Sequence, residues 1–143
     1  MSLPNHHDAD IVIKLYDLRR EPVMRASRDA ITMKFWPKSF EEFEAIFSPA
    51  HPHNAAYRQV STYWEMVYSF AKTGAVNPDL LIENAGEGLV LFAKALPYLA
   101  EIREKYNPNA FNNAEWVVSN THVGKIKFES VQRTIQRLTA ANQ

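Results

Sequence analysis

The chain has 143 residues and no cysteine, which gives it the size of one domain with a buried core and removes disulfide scaffolds, thiolate zinc sites and cysteine nucleophiles. Sixteen Lys and Arg balance sixteen Asp and Glu, and 46% hydrophobic with 12% aromatic residues exclude the highly charged, weakly apolar composition of a disordered chain. Nothing in this composition points to an oxidising compartment, so the cytoplasm is the expected location.

The opening Met1-Ser2-Leu3-Pro4-Asn5-His6-His7 has no basic stretch followed by an apolar core, so no secretory signal is read there, and residues 1–7 are expected to be flexible or partly foreign to the natural chain. Asp8 or Asp10 is the expected cap of a first helix with Ile11, Leu15 and Leu18 on one face. Pro22 interrupts it and sits in the first turn of a segment that runs to about Trp36, where Pro37 stops it. Ser39-Phe40-Glu41-Glu42 has capping-box spacing and opens a short helix ending near Phe47. After the loop 48–53, Asn54 is the expected cap of the most apolar helix, whose Tyr57, Val60, Tyr63, Trp64, Val67, Phe70 and Ala71 cover most of its circumference. Such a helix belongs in the middle of a bundle, and Gly74 ends it.

Asn77-Pro78-Asp79 restarts helix as cap, first-turn proline and acidic residue at the positive end of the dipole. A heavily apolar helix follows over 89–96, Pro97 kinks or breaks it before 98–106, and Asn107-Pro108-Asn109 is a turn. The last two helices are read over about 111–121 and 125–140. No alternating β-branched run is long enough for a strand and no run approaches the roughly 20 apolar residues of a membrane span. The expectation is a single all-α domain, a compact irregular bundle of six to eight helices.

Three groups of residues carry possible chemistry. His51-Pro52-His53 puts two imidazoles on a constrained loop, the beginning of a metal site, but two further ligands are needed and no other histidine stands at a ligand spacing; an exposed structural loop is the plainer reading. Charges inside apolar helices form the second group. Arg58 and Glu65 lie two helical turns apart, as do Glu87 and Lys94, and with Arg103 and Glu115 they suggest a polar layer across the bundle. As a site, that layer would use Glu65 or Glu115 as a general base with Arg58 or Lys94 holding an anion; as a brace, it would fix helix register. The third group is the run of Tyr57, Tyr63, Trp64, Tyr68 and Phe70, either core or the floor of an apolar pocket. Arg58, Tyr63, Trp64, Lys94 and Arg103 are the candidate ligand contacts.

Net neutrality conceals an uneven distribution. Residues 14–38 carry seven basic against three acidic side chains, residues 75–116 three against six, and residues 117–143 four against one. Without a dense basic face or a nucleic-acid-binding motif, no nucleic-acid partner is expected. Phosphate-loop, nucleophile-elbow, His-Glu-x-x-His and dinucleotide signatures are missing as well, so no cofactor is expected.

Tyr57-Arg58-Gln59-Val60-Ser61-Thr62-Tyr63-Trp64-Glu65-Met66, followed by Thr73 to Leu81, Gly86-Glu87, Lys94, Pro97, Arg103 and Asn113-Ala114-Glu115, resembles an uncharacterised bacterial family of small helical proteins. The resemblance runs from Tyr57 to Glu115. It implies an all-helical domain of unknown function, placed in some relatives beside an N-terminal membrane segment that this sequence does not show, and it supplies no catalytic residues. The leading functional expectation is an interaction or regulatory module working through protein contacts, including self-association through an apolar face of the first or last helix. The alternative is a small-molecule-binding protein or an undescribed enzyme using a semi-buried polar cluster around Glu65.

Overall fold

Helix follows helix without a strand among the described residues, 3–141, of the computed structural model. The α-helical segments are α1 (His6–Leu18), α2 (Pro22–Asp29), α3 (Phe40–Glu44), α4 (Asn54–Lys72), α5 (Pro78–Glu83), α6 (Gly88–Ala95), α7 (Leu99–Lys105), α8 (Asn112–Asn120) and α9 (His122–Ala141). A π-helical turn (Ala30–Lys34) extends α2, and a 3-10 turn (Leu96–Tyr98) carries α6 into α7. Pro97 therefore tightens a continuous helical run; with α6 and α7 taken as one rod, the described residues form eight helices, within the expected range.

Local chemistry explains most boundaries and corrects three. Asn5, not Asp8 or Asp10, caps α1: its side chain accepts the amides of His7 (2.9 Å) and Asp8 (3.2 Å), and Asp8 returns a bond to the Asn5 amide at 2.9 Å. His6 and His7 are thus helical; the expected flexibility of Met1 and Ser2 lies outside the described residues. Ser39 caps α3, yet the Glu42 carboxylate accepts the amide of Lys38 (2.8 Å) in place of the reciprocal bond to Ser39. Asn54 is the first residue of α4, not its cap. Its side chain is buried, donating to the Ile46 carbonyl at 2.8 Å and accepting from Arg58 Nε at 3.1 Å. Glu21, Ser39 and Asn77 cap their helices with side-chain oxygens, and Gly74 closes α4 at φ 77° in the left-handed region that favours glycine.

α4 occupies the centre, packing on α2, α5, α6 and α8, and it buries Tyr57, Val60, Trp64, Val67, Tyr68 and Ala71. Tyr68 makes the burial possible by donating its hydroxyl to the Ala85 carbonyl at 2.8 Å. The start of α6 comes so close to α4 that a Cβ at Gly88 would stand 2.6 Å from the Trp64 ring and 2.6 Å from the Tyr68 hydroxyl. α9 lies across α5, α6 and α8 and buries Phe128 against Phe92, with ring centroids 5.3 Å apart. One contiguous hydrophobic cluster reaches from Leu15 to Phe128. No helix among the described residues is long and apolar enough to cross a membrane.

Candidate functional site

A cleft of about 500 Å³ opens between one face of α4 and the segment from α7 to the start of α8. The α4 wall carries Asn54, Tyr57, Arg58, Ser61, Thr62 and Glu65, which recur at helical spacing along 54–65. The opposite wall is the turn 106–111, and Phe47 and Ile102 complete an apolar floor. Phe47 binds the parts together, its ring 5.5 Å from that of Tyr57 and 4.7 Å from that of Tyr106. Volumes of this size are ordinary for small-ligand sites, roughly 300–1,000 Å³.

Glu65 stands at one end of the cleft and has a defined task. Its carboxylate oxygens accept the amides of Asn113 (3.0 Å) and Ala114 (2.9 Å), and its carbonyl accepts the Asn113 side-chain amide at 3.0 Å. Phe111, at φ 58°, precedes α8 without a side-chain cap of its own, so Glu65 supplies from α4 the acceptor that a helix N-terminus needs. Burial pushes the Glu65 carboxyl above the ordinary carboxylate range, opposed by these two amide donors.

Tyr57 is 8% exposed and lines the cleft, and its hydroxyl has no hydrogen-bond partner among the described residues. Burial raises its pKa. The other two tyrosines of α4 are both satisfied: Tyr63 donates to the Leu15 carbonyl at 2.5 Å and Tyr68 to that of Ala85. Arg58 is exposed at the rim, with only its Nε engaged, on Asn54.

The six charges expected to form one polar layer separate into distinct groups. Glu87 meets Arg28 of α2 through two bonds of 2.6 and 2.8 Å, rather than Lys94. The Lys94 ammonium instead donates to the carbonyls of Ile31 (2.9 Å), Thr32 (2.8 Å) and Phe35 (2.8 Å) and lies 3.9 Å from the centre of the Trp36 ring. Arg103 donates to the Ala110 carbonyl at 3.0 Å and pairs with Glu115 at 3.4 Å, behind the cleft wall. Trp64 is core, stacked on Tyr68, and Tyr63 faces α1. The cleft thus brings Arg58 and Glu65 together and leaves Tyr63, Trp64, Lys94, Arg103 and Glu115 outside its lining. His51 and His53 lie together on their loop, where the His53 amide donates to His51 Nδ1 at 3.0 Å; among the described residues no group of three potential metal ligands assembles.

Sequence reasoning did not find Phe47, Tyr106, Asn107, Asn109 or Phe111 as cleft residues. Asn107-Pro108-Asn109 signals a turn, but only the packing of α8 against α4 turns that loop into a wall.

A family model described as a domain of unknown function, DUF4760, matches residues 5–121. That span contains the cleft and exceeds the stretch 57–115 that carries the resemblance in the sequence. No curated protein and no solved structure matches the chain. The chain belongs to the DUF4760 family.

Proposed function

We propose that this member of a domain family of unknown function is a small-molecule-binding protein whose ligand occupies the cleft between α4 and the α7–α8 turn. The observation that carries the reading is the cleft itself, a volume of about 500 Å³ with an aromatic floor and a few polar groups on one helix. Binding is favoured over proton transfer because both Glu65 oxygens hold amides of α8, while Glu115 is paired with Arg103 outside the lining. The test is a metabolite screen by thermal shift, followed by amide chemical-shift mapping of each compound that raises Tm. Perturbations centred on residues 54–65 and 106–111 are expected. Stabilising compounds whose shifts all map elsewhere would reject the site.

A second reading, contact with another copy of the chain, draws on Ile13, Tyr16 and Leu18 of α1 and Val23 of α2, which are 65%, 57%, 53% and 63% exposed. Sedimentation equilibrium at high protein concentration decides it: a dimer weakened by Ile13→Glu supports self-association, and a monomer throughout removes it.

A further inference from the structure

We propose that the ligand of this cleft is a small monocarboxylate with an apolar body, its oxygens on the Tyr57 hydroxyl and the Arg58 guanidinium and its body on Phe47, Ile102 and Phe111. This rests on the reading of the cleft as a binding site and adds the chemistry of what it holds.

The free polar groups of the cleft decide the class. The Tyr57 side chain is nine-tenths buried between aromatic rings, Phe43 and Phe47 having centroids 6.0 and 5.5 Å from its own, and its unpartnered hydroxyl stays open to the cleft. Open to the cleft, that hydroxyl donates either to water or to an acceptor bound beside it. Arg58 adds a full positive charge that meets no carboxylate within ion-pair distance among the described residues, and its terminal nitrogens are free because only Nε is used on Asn54. On the facing turn, Asn107 Oδ1 accepts the Asn109 amide (2.9 Å) and Asn109 Oδ1 accepts from Asn112 (3.1 Å), which leaves the NH2 end of each side chain unused.

The acceptors are mostly committed or weak. Glu65 directs its negative charge at the amides of α8, whose helix end offsets it. The hydroxyls of Ser61 and Thr62 donate to the Arg58 carbonyl at 3.5 and 2.6 Å, leaving only their oxygens for a ligand. A site with a free hydroxyl donor on a buried ring, an unopposed guanidinium and an apolar floor fits an oxyanion carried on an apolar body. A phosphate dianion fits less well, since one guanidinium is the only cation lining the cleft among the described residues.

The test is calorimetric titration of the full chain with 3-phenylpropionate, 4-phenylbutyrate and octanoate, each against its neutral carboxamide, with amide chemical-shift mapping of every mixture. At least one acid is expected to bind saturably at residues 54–65 and 106–111, with its amide weaker by about tenfold or more. Tyr57→Phe keeps the ring and is expected to retain Tm while losing about tenfold in acid affinity; Arg58→Gln is expected to weaken the acid and flatten its salt dependence. If acid and amide bind the cleft equally, or Tyr57→Phe binds the acid as the parent chain does, the carboxylate assignment falls and the cleft remains a binding site. If none of the six compounds perturbs the cleft, the carboxylate assignment falls and the metabolite screen alone decides the reading beneath it.

Discussion

Lys94 shows how one residue can dictate pH behaviour. It is 6% exposed and meets no carboxylate among the described residues, and its three donors are taken up by carbonyls that the π-helical turn and the extended Phe35 leave open at the end of α2. Burial pushes the ammonium down from 10.5 to about 8. Between these values the unfolded chain holds more protons than the folded one, so the contribution of Lys94 to stability rises with pH across that window, by about 3 kcal/mol in all. Lys94→Met is expected to cost about 1–3 kcal/mol at pH 7 by stripping the carbonyls of their donor. The stability difference between parent and variant, read from urea unfolding, should widen from pH 8 to 10.5. The sequence shows that a lysine inside an apolar helix must find a partner; it does not show that carbonyls from 59 to 63 residues away serve, because backbone acceptors leave no mark in side-chain chemistry.

At the scale of elements, α8 begins on a borrowed cap. Removing it with Glu65→Ala is expected to cost about 1–2 kcal/mol and to speed hydrogen exchange first at the amides of Asn113 and Ala114, whereas Glu65→Gln should retain part of both. The meeting of α6 with α4 is equally particular: Gly88→Ala would set a methyl 2.6 Å from the Trp64 ring and is expected to lower stability by about 1–3 kcal/mol, measurable as a fall in Tm. Helix starts set by adjacent residues, such as Asn77-Pro78-Asp79, were readable from sequence, as was the closing role of Gly74. Asp8 and Asn54 were misassigned because distant partners claim their oxygens and nitrogens, the Asn77 amide for Asp8 at 3.0 Å and the Ile46 carbonyl for Asn54. The Glu65 cap joins residues 48 and 49 positions apart, beyond any local motif.

Across the whole molecule, the all-helical architecture was legible because 3.6-residue apolar periodicity is a local signal, whereas the cleft was not, because its walls come from segments about 50 residues apart. The family match ends at residue 121, just before α9, yet α9 covers Phe92 with Phe128 and packs on α6 and α8. A chain cut after residue 121 is expected to lose cooperative unfolding and to bind hydrophobic dyes, while the 143-residue chain unfolds in one transition, as followed by near-ultraviolet dichroism. The same interlocking gives the molecule an internal tracer. A neutral amine attacks an acylating reagent and displaces its leaving group, and Lys94 is the one buried lysine among the described residues, clasped between α6 and the end of α2. Exposed lysines should be tagged at once and Lys94 only when those two elements part, so its tagging rate, read by mass spectrometry, clocks how often the bundle opens.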